Sequence, residues 1–246
     1  MQFDIITIFP KVFEEYFNTS IIGRAQKKKL VSIKTHDLRK FTADKHKNVD
    51  DKPYGGGAGM VLMAEPIIKS IDKIKSKKHP LTALSSSLSD LGIKGRASKK
   101  TKTIIFSAKG KQFTQKMALN YAKNYDQLIM VTGRYEGIDE RVKTITKAEE
   151  VSIGPYVLTD GELPAMILVS AITRLLPNVI NFASLQEESF WNNLLDSENK
   201  QSGVLEYPHY TRPEVIKYKG KNYRVPKILL SGHHAAIKKW RATKTT

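Results

Sequence analysis

Apolar positions fall into short runs that alternate with amphipathic stretches. "FDIITIF" (Phe3 to Phe9) is mostly apolar and carries β-branched residues, which predicts a buried strand. Pro10 follows, and proline can open a helix because its missing N–H is not needed there. Val12, Phe13, Tyr16 and Phe17 then keep helical spacing. "LVSIKTHDL" (Leu30 to Leu38) predicts a second strand. "TIIFSA" (Thr103 to Ala108) and "QLIMVTG" (Gln127 to Gly133) predict two more, with a helix between them around Phe113 to Tyr125. "EEVSIG" (Glu149 to Gly154) is a shorter strand, and "ELPAMILVSAITRLL" (Glu162 to Leu176) a strong helix pattern. Strands alternating with helices predict an α/β fold with a mostly parallel sheet.

Two segments break this order. Residues 73–102 hold nine Lys/Arg, one Asp and the run "SSSLS", which reads as a mobile basic insertion touching phosphate weakly or not at all. Residues 191–202, "WNNLLDSENKQS", read as a second, shorter insertion. "PNVINFASLQEE" (Pro177 to Glu188) has no sustained period, which suits a linker at 181–188 after a main domain at 1–180. Residues 189–246 are polar and basic, with one late helical pattern, "HHAAIKKWRA", and suit a small C-terminal domain.

Charge narrows the function classes. Lys and Arg number 41 against 24 acids, a net charge of +17, and a chain this basic most often meets a polyanion such as nucleic acid. Cysteine is absent, which removes disulfides, thiol catalysis and thiolate metal sites. The six histidines lack HExxH-like spacing, and the adjacent His233 and His234 cannot share one helix face, so no metal site is expected. No apolar run approaches the ~18 residues of a membrane span. The N-terminus lacks a basic-then-apolar leader, so a cytoplasmic protein without a membrane partner is expected.

Four stretches could carry chemistry. "PYGGGAGM" (Pro53 to Met60) has neither the Lys-Ser/Thr of a phosphate-binding loop nor a preceding strand, because "KNVDDK" does not read as one. It is a tight surface loop or a place where backbone approaches something closely. "GRYEGIDERV" (Gly133 to Val142) directly follows a strand, and ligands in open α/β sheets bind at the carboxyl ends of strands. It is either a salt-bridged helix start or a pocket wall with Arg134 or Glu136 on it. "SIGPYVLTDGELPAM" (Ser152 to Met166) follows the next strand, and its glycines and prolines suit a ligand loop of fixed shape. With no phosphate grip in it, an adenosine without a triphosphate fits better than ATP. "YPHYTRP" (Tyr207 to Pro213) combines aromatics, histidine and arginine, as a nucleic-acid surface or a rigid packing turn does.

Taken together, these stretches resemble the bacterial tRNA (guanine-N1-)-methyltransferases of the TrmD type. "FDIITIFP", "NVDDKPYGGGAGM", "GRYEGIDERV", "SIGPYVLTDGELPAM", "YPHYTRPEV" and "VPKILLSGHHAAIKKWR" carry the resemblance, in family order, over nearly the whole chain except the two insertions. The resemblance implies a trefoil-knotted α/β domain of the SPOUT class, with a mostly parallel sheet, and a small helical C-terminal domain that binds tRNA. It implies an obligate homodimer acting on tRNA and not on DNA. It implies S-adenosyl-L-methionine as methyl donor, and methylation of N1 of guanosine 37; Mg2+ is left open as an additional ion.

Site residues carry over from the same match. Gly133, Tyr135, Glu136, Ser152, Ile153, Gly154, Pro155, Tyr156, Val157, Leu158, Gly161 and Pro164 fall at donor-binding positions. Ser107 and Ala108 join them, although "FSAKG" replaces the usual Ser-Pro-Gln-Gly. Gly59, Arg134, Ser189, Tyr207, His209 and Arg212 fall on the tRNA side. Arg174 matches the catalytic arginine, and Glu188 stands where the family's general base is usually Asp. Pro155 stands where Asp is common and Asp160 where Gly is common. The family's second acidic residue corresponds to Glu206 or Asp196. The alternative is an RNA-binding protein that keeps the fold with reduced or lost catalysis.

Overall fold

The computed structural model describes residues 1–76, 100–181, 184–185, 189 and 206–244. The chain divides into two compact units, Met1–Asn181 and Phe182–Thr246.

The first unit is built on five strands: β1 (Gln2–Thr7), β2 (Ser32–Asp37), β5 (Thr101–Gln112), β6 (Gln127–Val131) and β7 (Glu149–Ser152). They lie in the order β2-β1-β6-β5-β7, and every neighbouring pair is parallel. Every residue of β1 and β6 is buried, as expected of strands covered on both faces. The α/β reading with a mostly parallel sheet is therefore observed.

A polar rung crosses this buried centre. Asp4 Oδ2 accepts from the side-chain amides of Gln2 at 2.7 Å and Gln127 at 2.8 Å, while Oδ1 lies 2.7 Å from His36 Nε2. Burial opposes ionisation of Asp4, but the bonds from His36, Gln127 and Gln2 outweigh it and hold the carboxyl below its usual range.

Helices close both faces. Helix α3 (Ala64–Ser76) buries Ile67, Ile71 and Ile74, at i, i+4 and i+7, in a core with Ile6, Leu38, Ile129, Val131 and Val142. Each fully buried aliphatic side chain of this kind contributes about 1.5–3 kcal/mol. Lys69, Lys73 and Lys75 occupy its outer face, Lys73 with its ammonium 5.6 Å from the Phe41 ring. The expected insertion at 73–102 is thus too wide at both ends. Lysines 73 and 75 belong to this amphipathic helix, and Thr101 and Lys102 open β5; residues 77–99 lie outside the described residues. On the other face, helix α6 (Glu162–Thr173) packs against α4 (Gln115–Asn124), α2 (Ser20–Lys27) and β1. Thr114 caps α4, its hydroxyl accepting from Met117 N–H.

Pro10 opens a 3-10 turn to Phe13, continued by helix α1 (Glu14–Asn18). Asp50–Asp51 (β3) pairs antiparallel with Val61–Leu62 (β4) around the glycine-rich loop. "KNVDDK" therefore does contain a strand, too short and too acidic to show an apolar pattern.

In the second unit, β8 (Val215–Tyr218) and β9 (Lys221–Arg224) form an antiparallel hairpin, followed by helices α7 (Lys227–Leu230) and α8 (His234–Ala242). The hairpin was not expected from the sequence. Helix α8 lies in the expected "HHAAIKKWRA" pattern, and His233 Nδ1 caps it by accepting from Ala236 N–H at 3.2 Å. The 191–202 insertion lies outside the described residues.

Candidate active site

The cleft begins with an irregularity in β5. Phe106 and Lys111 both pair with Val151 of β7, so Ser107 to Gly110 are pushed out of the sheet. Bulges of this kind re-aim side chains beside functional sites. A side chain at Gly110 would meet the backbone of Glu150 and Val151 at 2.7 Å, so the return to the sheet requires glycine there.

Ser107, Ala108 and Lys109 of this bulge form one wall of a cleft of about 490 Å³. The loops after β6 and β7 form the others, at the carboxyl ends of the parallel strands. Ser107, Ala108, Gly133, Tyr135, Glu136, Ser152, Ile153, Tyr156, Val157, Leu158, Gly161 and Pro164 all line it, as does Arg134. Gly154 and Pro155 do not. Gly154 is buried, bracketed by the Ser152 hydroxyl, which accepts from its N–H and donates to its C=O. Pro155 is exposed. A side chain at Gly154 would strike the Tyr156 ring at 2.3 Å. Tyr156, Val157 and Leu158 form the exposed side of this lining, which mixes apolar residues with charged ones such as Lys109, Glu136 and Glu150.

The two loops lock together at a backbone crossing. Gly161 N–H donates to Gly133 C=O at 2.9 Å. A side chain at Gly161 would lie 2.6 Å from Gly133 N and 2.9 Å from Thr132 Cα, so neither backbone has room to yield. Glu162 fixes the crossing from beneath. It is 2% exposed and accepts from Thr7 Oγ1 at 2.6 Å, Thr132 Oγ1 at 2.9 Å and Arg134 Nε at 3.0 Å. The ends of β1 and β6 are thereby tied to the first turn of α6, where a carboxylate also suits the helix dipole.

Arg134 is held firmly, its guanidinium 4.6 Å from the Phe9 ring and 3.9 Å from Asp160. Asp160 Oδ1 accepts from the N–H groups of Glu162 and Leu163, capping the start of α6. Partial burial raises the Asp160 pKa, but bonds from Leu163 N–H and the Thr159 hydroxyl, with the Arg134 charge, hold it low.

Glu136 meets the glycine-rich loop. Its N–H donates to Met60 C=O at 3.0 Å, and Leu62 bridges Ile138. Gly59 has φ +80°, and a side chain there would strike the Glu136 carboxyl at 2.5 Å. The structure therefore brings together two motifs that the sequence left separate. Beyond them, Lys109 bridges Glu140 at 3.2 Å and Glu150 at 3.7 Å, while Lys143 lies 3.4 Å and 2.6 Å from the same two carboxylates. This alternating square ties the bulge to β7 and to helix α5 (Arg141–Thr146). Pairing with Lys109, and then Lys143, holds the Glu140 carboxyl below its usual range.

Arg174 follows α6 as its C-cap, half-buried and outside the cleft lining. Glu188 and Asp196 lie outside the described residues. In the second unit, Ser189 and Glu206 bond reciprocally: Ser189 N–H donates to Oε1 at 3.0 Å, and Glu206 N–H to the Ser189 hydroxyl at 3.1 Å. Glu206 Oε2 lies 3.3 Å from His209 Nε2, whose ring meets that of Tyr207 at 4.7 Å. Arg241 covers Tyr207 at 4.4 Å, and Arg212 is exposed.

Sequence reasoning passed over Glu162, Thr7, Thr132 and Lys109. The signal for Glu162 was a lone acid opening an otherwise apolar helix, where burial was foreseeable and an ionised group would need partners.

Comparison with known proteins bears on the chemistry of this cleft. The model of the tRNA (Guanine-1)-methyltransferase TrmD family matches residues 1–246. A tRNA (guanine-N(1)-)-methyltransferase of Desulforamulus reducens is 44% identical over 98% of this chain and 82% of its own. That of Mycoplasma mycoides is 44% identical over 98% and 85%. That of Borreliella burgdorferi is 42% identical over 99% and 87%. With its cleft at the strand ends and this match along its whole length, the chain belongs to the tRNA (guanine-N1-)-methyltransferases, enzymes that methylate guanine N1 in tRNA.

Proposed function

We propose that the cleft holds S-adenosyl-L-methionine and that the methyl goes to N1 of guanosine 37, beside the anticodon. The observation that carries this reading is the cleft itself: about 490 Å³ beside the carboxyl ends of the strands, with Phe106, Ile138, Val151 and Leu158 as apolar surface in its lining. That lining fits an adenosine, whose ring is apolar on its faces and accepts hydrogen bonds at its edge. The donor supplies a methyl on a sulfonium. The chain's own residues do the rest. Ile153, Tyr156, Val157 and Leu158 hold the base, Gly133 and Glu136 border the remainder, and the Gly161 crossing fixes the pocket before anything binds, so little ordering remains at reaction.

Guanine N1 carries a proton at neutral pH. The Glu188 carboxylate takes that proton, and the Arg174 guanidinium stabilises the charge spreading to O6. The chain is further proposed to thread a trefoil knot, which the backbone contact of Gly161 with Gly133 and Thr132 supports. It works as a homodimer in the cytoplasm, with residues 189–246 engaging tRNA beyond a linker at 181–188. No step is assigned to Mg2+; no group of three or more His, Asp or Glu able to hold a metal occurs among the described residues.

Glu188→Gln tests the assignment. Single-turnover methylation should fall by roughly a hundredfold or more, the range for a general base, with donor affinity by calorimetry unchanged. An unchanged rate removes Glu188 from the role.

A further inference from the structure

The β8–β9 hairpin turns at Lys219 and Gly220, both with positive φ, at 48° and 73°. Such turns match the twist of a two-residue hairpin. Register places Ile216 opposite Tyr223 and Tyr218 opposite Lys221, so these four side chains share one face. That face is open: Ile216, Tyr218 and Tyr223 are 55%, 58% and 56% exposed. Lys219 adds its ammonium 5.4 Å from the Tyr218 ring. A two-stranded ribbon with an uncovered aromatic face is marginal in water by itself. Something of complementary chemistry would cover it.

Charge decides the class of occupant. From Val215 to Lys244 the chain has nine lysines and arginines and no aspartate or glutamate. The same segment of a second copy would set nine more cations and no acid against it, whatever other surface a homodimer uses. RNA brings negative charge, and the family's substrate is RNA. Bases inside a paired A-form helix show no faces to a side chain, whereas unpaired bases do.

We propose that the Ile216–Tyr218–Tyr223 face is a stacking surface for unpaired bases of the tRNA substrate, flanked by lysines that track the phosphates. It depends on RNA being the substrate and is independent of which residues hold the methyl donor.

The test is anisotropy titration of the full-length protein against unmodified tRNA transcript across a salt series. A Tyr218→Ala/Tyr223→Ala variant should bind roughly tenfold more weakly at every salt concentration, as expected for lost stacking. Its log–log salt slope should stay parallel to that of the parent, because no phosphate contact is lost. The Tyr218→Phe/Tyr223→Phe variant should restore affinity to within about twofold, since the rings remain. Lys219→Ala should reduce the slope by about one contact's worth. Tyr218→Trp should show fluorescence quenching when tRNA is added. Unchanged affinity in the alanine variant, or phenylalanine binding as weakly as alanine, overturns the proposal. So does self-association lost in the alanine variant, which would give the face to a second copy, or to another protein if only a protein partner is released.

Discussion

Glu162 shows how one buried charge is made tolerable. Two hydroxyls and one guanidinium complete its coordination, and each donor comes from a strand end or a cleft loop. Removing the carboxylate would leave the Arg134 charge, among its described contacts, only the Phe9 ring at 4.6 Å and the longer contact to Asp160 at 3.9 Å. Glu162→Ala should therefore lose about 3 kcal/mol or more in urea unfolding, as breaking one side of a buried pair does. Glu162→Gln should lose less, because one oxygen still accepts from Thr7 and Thr132. A loss under about 1 kcal/mol for the alanine variant would mean the group is not a keystone. The residue's type and place at the head of α6 were readable in the sequence. Its partners were not, since Thr7 and Thr132 lie far away in the chain and meet it only once the parallel order of the strands is set. Asp160 likewise looked like a departure beside a ligand, and its structural role is a helix cap.

At the scale of elements, apolar runs announced β1, β5 and β6, which are buried in the middle of the sheet, while the edge strands β2 and β7 carry mixed patterns and are only partly covered. Patterns that mix charge with periodicity were harder to read. Lys73 and Lys75 suggested an insertion, yet they stand on the outer face of a helix whose isoleucines are buried. The bulge at Ser107 to Gly110 left no periodic trace, because it consists of small and polar residues between two correctly paired stretches. Lys109 gives that bulge a testable property. Its pair with Glu140 is exposed and its pair with Glu150 is long, at 3.7 Å, so both are individually weak and set position more than stability. Lys109→Met should raise the donor dissociation constant about two- to fivefold with little change in melting temperature, and Lys109→Arg should behave as the parent. Donor affinity unmoved by Lys109→Met would show that the bulge holds its place without the ionic square.

For the whole molecule, the basic balance and strand order pointed to an α/β protein that meets nucleic acid. They went no further: neither charge nor periodicity names a methyl donor, and a threaded path has no hydrophobic signature. What the sequence did carry was local, in the glycines. Gly59, Gly110 and Gly161 each stand where a side chain would collide with another segment, and those collisions outline the cleft. The most direct test combines unmodified tRNA, S-adenosyl-L-methionine with a labelled methyl, and nuclease mapping of the product. The label is expected on N1 of guanosine 37 and to be lost when that guanosine is replaced by adenosine. Label at another nucleotide, or none in a protein that still binds tRNA and donor, would contradict the account.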